Sequence, residues 1–398
     1  MLKVPRSGDR NMSHGSICGR VEIDPERGFL PSQDPLNFLP KAFDAWEGVA
    51  SGLPKLLASD HIRRSIEDLP PFPLDRIATD QELERAMTLL SYLGHAYIWR
   101  GERPAEVLPK RLAIPWHAVA CRLGRPPVLS YSSYALHNFF RFDRTREIEC
   151  GNIGLIQNFF GGIDEEWFIL IHVDIERRAA PGMAVLHSCL DAAETAEAEH
   201  LQSLLAKVQA SIESMYATLK RMPEWCDPYI YYQRVRPYIH GWKDHPDLPR
   251  GVIYEGVEAY GDTPQQFRGE TGAQSTIVPS LDAMLGIEHE QDMLRSYLME
   301  MRTYMPPVHR AFIESLEARG SIRPFVQRCR IPRLTELYNA CIEGIGRFRS
   351  LHLEYAGRYI FRQAQTDDKN PRAVGTGGTP FMSYLTKHRD ETARHLLG

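Results

Sequence analysis

The segment "FRSLHLEYAGRY" (348–359) carries His352 among Leu337, Cys341, Ile345, Phe348, Tyr355 and Tyr359, which recur at steps of three and four. That spacing predicts a helix with the imidazole on its buried face. A buried ring needs a partner, and two readings fit: a core histidine bonded to a carbonyl, or a ligand to a metal or haem. Arg349 stands three residues earlier, about 4.5 Å along the axis, close enough to reach an anion at the rim of a planar cofactor held by His352.

Other candidate motifs are weaker. "HEQDM" (289–293) lacks the second histidine of a zinc-binding HExxH, so Glu290 reads as a surface residue. "HVDIE" (172–176) would offer His172 and Asp174 to a non-haem iron site if extended, but on a helix it aligns His172 with Glu176. "GTGGT" (375–379) has no phosphate-loop lysine, and "GIG" (344–346) lacks the third glycine of a dinucleotide fingerprint. The glycine loop is expected to be a hinge or lid. Seven scattered cysteines, with no CxxC and no CxxCH, read as reduced residues and exclude covalent c-type haem attachment.

The elements that must carry these residues are helical. "RRAAPGMAVLHSCLDAAETAEAEHLQSLLAKVQASIESMYATLKRM" (177–222) predicts one or two long helices, with two more over 284–320 and another over 333–365. Strand alternation is scarce, so the fold class is all-α. With 398 residues, 43% of them hydrophobic, the chain is long enough for two domains. A net charge of −4, from 47 basic and 51 acidic residues, gives no electrostatic reason to expect nucleic acid or anionic lipid as a partner. The longest apolar runs, such as "WFILI" (167–171), are too short for a membrane span, and the start lacks a signal-peptide core. A cytoplasmic protein is expected.

The chain resembles the indoleamine 2,3-dioxygenase family, haem enzymes that open the indole ring of tryptophan. The resemblance rests on "LPKRLAIPW" (108–116), "PPVLSY" (126–131), "YIHGWKDHP" (238–246), "GVIYEGV" (251–257), "MRTYMPPVHRAFIESLE" (301–317), "RSLHLEYAGRYI" (349–360) and "GTGGT", in this order. It implies a two-domain helical fold: a disordered tail (1–20), a small N-terminal domain (21–159), and a large domain (160–398) that binds haem b and includes a mobile glycine loop (365–380).

It further implies that His352 is the proximal iron ligand, with Arg349 and Asp282 on the propionate and proximal side. Arg236 matches the arginine for the substrate carboxylate, and a planar guanidinium suits that role. Thr271 and Gly272 match the loop beside the haem and the substrate ammonium, while Thr376 of the glycine loop is assigned to substrate. Phe168 and Tyr131 would wall the distal pocket. Three departures make this pocket more polar than the family pattern: Tyr231 and Tyr232 replace phenylalanines, Tyr134 replaces a cysteine, and His172 replaces a distal serine.

The implied reaction inserts both atoms of O2 across the indole C2=C3 bond of L-tryptophan, or a close indoleamine, to give an N-formylkynurenine-type product in tryptophan catabolism by the kynurenine pathway. An external reductant would only keep the iron ferrous. His172 is expected to accept the indole N–H, as does the distal histidine of tryptophan 2,3-dioxygenase. Two alternatives remain open: a relative that oxidises a substituted tryptophan in secondary metabolism, and a non-catalytic haem sensor.

Overall fold

The structure, a computed structural model, describes residues 22–366 and 381–398. The tail expected over 1–20, the "GTGGT" motif and Thr376 lie outside the described residues.

The chain is all-α, as its periodicity predicts. Strand pairing among the described residues is confined to two small ladders: Val107–Leu108 runs parallel to Ile253–Tyr254, and Phe139–Arg141 antiparallel to Ile153–Leu155. No described helix is long and apolar enough to cross a membrane.

Local chemistry sets the helix boundaries. Thr79 and Glu82 form a reciprocal capping box that starts Asp80–Trp99, a helix buried along most of its length. The helix that carries His172, Ile163–Met183, begins where the Glu165 carboxylate accepts the backbone N–H groups of Phe159, Phe160 and Gly161 at 2.6, 3.0 and 2.9 Å. Residues 177–222 prove to be the end of this helix followed by two more, Leu186–Glu194 and Ala198–Leu219. Pro181 removes an amide donor just before the first break, and Ala196, at φ 58°, turns the chain before the last helix.

The His172 helix packs along Ala198–Leu219, which packs in turn against Pro332–Ala356, the helix that carries His352. Small residues allow this closeness: a Cβ on Gly182 would come within 2.9 Å of Ser211, and one on Gly344 within 2.7 Å of Ile212. Two hydrophobic cores result, and the His172 helix serves both. Ile169 and Val173 enter the first, around Trp46, Trp116 and Trp242, while Ile171 and Ile175 enter the second, around the three-helix layer. The chain returns to the first core at Tyr238–Val257, well after residue 160.

Three π-helical turns interrupt the α-helical pattern: Ser132–Leu136, Tyr231–Val235 and Gly357–Phe361. Each carries tyrosines of the site described next, consistent with the use of such turns to re-aim side chains.

Candidate functional site

The largest cavity, about 960 Å³, lies beside the three-helix layer. The stripe on the His352 helix changes character as it reaches this space. Leu337, Cys341 and Ile345 are packed in the second core, whereas Phe348, His352, Tyr355 and Tyr359 line the cavity. His352 therefore lies on the expected face, but its ring is exposed to the cavity rather than packed. Lack of water around it, and then the proximity of His172, lower its pKa to about 4 and keep it neutral. A neutral imidazole with an open face is a ready metal ligand.

His172 lines the same cavity from its own helix. Its Nδ1 lies 2.7 Å from the Phe168 carbonyl oxygen, which can only accept, so Nδ1 carries the proton and Nε2 is left as an acceptor. Burial lowers the pKa of His172 as well. Asp174 turns away to bond Arg178 at 2.9 Å, so His172 and Asp174 do not form an iron-binding pair.

Flat aromatic surfaces complete this wall. Phe168 meets His172 at a centroid distance of 4.8 Å and Tyr231 at 4.5 Å, and Tyr131 packs edge-on to His172 at 6.0 Å. The Tyr131 hydroxyl donates to Glu176 Oε1 at 2.9 Å, and Ser275 Oγ donates to the same oxygen at 2.8 Å. Glu176 Oε2 is buried with no partner. Burial outweighs the two hydrogen bonds and raises the Glu176 carboxyl to about 7.

Thr271 and Gly272 line the cavity, and the Thr271 side chain caps the short turn Gly272–Gln274. Tyr134, Tyr232 and Arg236 sit behind the wall rather than among its lining residues. Tyr134 is buried against Phe168, with ring centroids 6.4 Å apart and its hydroxyl unpartnered. The Arg236 guanidinium, 1% exposed, lies 5.2 Å from the centroid of the buried Tyr232 ring.

The opposite end of the cavity is ionic. Arg349 Nη2 lies 2.6 Å from Asp282 Oδ2, and its other terminal nitrogen donates to the Thr392 hydroxyl. Burial alone would raise the Asp282 carboxyl, but Arg349 and His289 outweigh it and hold it below the ordinary carboxylate range. His289 bridges two acids, with Nδ1 2.5 Å from Glu391 and Nε2 3.2 Å from Asp282. His388 packs on His289 at 4.2 Å and leaves Nε2 buried and unpartnered. His289, His388 and Glu391 are the one group among the described residues with three close metal-ligating side chains. Both His289 nitrogens are already engaged by carboxylates, so the cluster serves first as a clasp between the Phe381–Ala393 helix and the cavity floor.

The sequence reading passed over Glu176, Glu270, His289, His388 and Glu391. His388 and Glu391 share a helix face at i, i+3, which was legible; their approach to His289, about a hundred residues away in the chain, was not.

An aromatic cavity with a neutral histidine on each of two separate helices, closed by an ionic floor, suits a planar cofactor with an axial ligand and a flat substrate beside it. Fold and site thus define an all-α protein of the cofactor-dependent kind. The indoleamine 2,3-dioxygenase family model matches residues 18–395. The chain is 34% identical to indoleamine 2,3-dioxygenase 1 of Rattus norvegicus, over 99% of this chain and 98% of the rat protein. It is 33% identical to indoleamine 2,3-dioxygenase of Saccharomyces cerevisiae, over 93% of this chain and 91% of the yeast protein. It is also 33% identical to a 6-hydroxytryptophan 2,3-dioxygenase of Fusarium equiseti, over 93% and 95% of the two chains. The chain belongs to the indoleamine 2,3-dioxygenase family, a family of oxidoreductases.

Proposed function

We propose that this chain binds haem b through His352 and inserts both atoms of O2 across the indole C2=C3 bond of L-tryptophan or a close indoleamine, giving an N-formylkynurenine-type product. One observation carries the reading: His172 and His352, from separate helices, present neutral imidazoles to one cavity of about 960 Å³. The residues present fit a haem. His352 offers an open nitrogen, Phe348 and Tyr359 offer flat walls, and Arg349 with the unpartnered His388 Nε2 offers polar contacts for propionates.

When bound, the haem supplies the iron chemistry that activates O2. The protein supplies placement. Phe168, Tyr131 and Tyr231 hold the indole plane, His172 Nε2 accepts the indole N–H, and Arg236 pairs with the carboxylate, assisted by the Thr271–Gly272 loop and by Thr376. Tyr134 and Tyr232 support this wall from behind. The Asp282–Arg349 ion pair fixes the arginine one turn from His352. Both oxygen atoms enter the product, so turnover consumes no electrons and an external reductant serves only to keep the iron ferrous. The first core forms the smaller N-terminal domain over the haem-binding layer, and the six described cysteines, all free thiols, fit a cytoplasmic setting.

A second reading, a substituted tryptophan as substrate, is favoured by the hydroxyls of Tyr131 and Tyr231 at the cavity wall. The test is anaerobic reduction of the haem-loaded protein, then air with L-tryptophan or 6-hydroxytryptophan in parallel. Formation of a formylkynurenine chromophore is expected. An unreactive protein with six-coordinate low-spin ferrous iron would instead mark a sensor.

A further inference from the structure

Glu270 is a cavity-lining carboxylate without a role so far. It is 5% exposed and borders the cavity beside Thr271 and Gly272. The backbone holds it firmly. Its N–H donates to the Ile239 carbonyl at 3.1 Å, and Ile239 ends the short Arg236–Ile239 helix, so one hydrogen bond ties Glu270 to the element that carries Arg236. The adjoining contact is glycine against glycine: a Cβ on Gly269 would overlap the Gly241 nitrogen and the Ile239 oxygen. From the other side, Gln274 Nε2 donates to the Gly269 carbonyl at 2.9 Å while its Oε1 accepts the Tyr131 N–H at 2.9 Å.

Glu270 is thus set between the Arg236 helix and the aromatic wall, and its charge is felt at the hydroxyls of Tyr131 and Tyr231. The other buried acids around the cavity are committed: Glu176 to Tyr131 and Ser275, Asp282 to Arg349 and His289. An amino acid substrate brings both a carboxylate and an ammonium group into this space. A desolvated ammonium needs an anion or several acceptors, and a rigidly held carboxylate is the strongest such partner.

We propose that Glu270 is the receptor for the α-ammonium group of the substrate, and that it makes the site selective for indole amino acids over indoles that lack the amine. The proposal rests on the function proposed above. Burial raises the Glu270 carboxyl to about 8, so an arriving ammonium would draw it into its charged form.

The test uses the haem-loaded protein and reads ligand-induced changes in haem absorbance together with turnover. The ligands are L-tryptophan and indole-3-propionate, which keeps the carboxylate and indole but has no amine. The wild type is expected to bind tryptophan about 100-fold more tightly, because losing a charge-assisted contact inside a buried site costs one to two orders of magnitude. Glu270→Gln should lose most of that preference through weaker tryptophan binding while indole-3-propionate binds as before, and Glu270→Asp should keep part of it. Retained preference in Glu270→Gln overturns the proposal, and so does a wild type that binds both ligands alike, whatever the variants do. If the wild type oxidises L-tryptophan while Glu270→Gln stays selective, this assignment fails alone; if the wild type neither binds nor oxidises any indole, the proposed function fails with it.

Discussion

His172 Nδ1 donates to the carbonyl oxygen of Phe168, one turn back on the same helix, at 2.7 Å. This single bond selects the tautomer: it leaves Nε2 as the acceptor in a cavity where an indole N–H would otherwise go unpaired. N1-methyltryptophan has no such hydrogen, and leaving the nitrogen unpaired costs roughly 1–3 kcal/mol, about tenfold or more in kcat/KM. The native protein should therefore discriminate L-tryptophan from its N1-methyl analogue, and His172→Ser should discriminate less. Equal discrimination by the two proteins would show that His172 does not read the indole N–H.

His352→Ala should lose haem, assayed as absorbance that co-elutes with protein on gel filtration. Because the ring faces a cavity instead of filling the core, the haem-free variant should unfold within about 1 kcal/mol of the haem-free wild type. A large loss of stability in the haem-free form would mean that His352 is a packing residue after all.

Arg236→Ala should reduce kcat/KM for L-tryptophan by two orders of magnitude or more, since an unpaired carboxylate in a buried site typically costs about 2–5 kcal/mol. Arg236→Lys should recover only part of this, because a point charge cannot reproduce the planar two-donor fork. Steady-state kinetics on both variants decide it; unaltered kcat/KM in the alanine variant removes Arg236 from substrate binding.

Glu176 ties Tyr131 to Ser275 and has its carboxyl raised to about 7 by burial. A raised carboxyl means that the folded state binds a proton the unfolded chain has already released. Stability from this group is therefore full below about pH 4.5, falls as pH rises towards 7, and is level beyond, with a span of roughly 2–3 kcal/mol. Glu176→Gln cannot ionise and should lack this slope. Chemical denaturation at pH 5, 6, 7 and 8 should show the variant gaining on the wild type up to about pH 7; a constant difference would place an already charged carboxylate at this position.

Much of the site was legible because it depends on spacing within one helix. Steps of three and four put His352 on a stripe with Phe348, Tyr355 and Tyr359, and the same geometry set Phe168 and His172 one turn apart. These relations follow from 3.6 residues per turn and need no knowledge of the rest of the fold. The all-α class followed in the same way from periodicity and the scarcity of strand signals.

Contacts between distant segments were decided by tertiary structure alone. Whether the His352 stripe met core or cavity depended on what packed opposite it, and the answer changes along the helix between Ile345 and Phe348. The Arg349–Asp282 pair and the His289–Glu391 clasp join residues 67 and 102 positions apart. Tyr134, Tyr232 and Arg236 lie behind the cavity wall, and Glu270 lies on it, because π-helical turns and a glycine-to-glycine backbone contact re-aim short segments by amounts that local propensity does not encode. Sequence periodicity specifies which face of a helix a residue occupies; only the packing of three helices and the loops around them determines what that face meets.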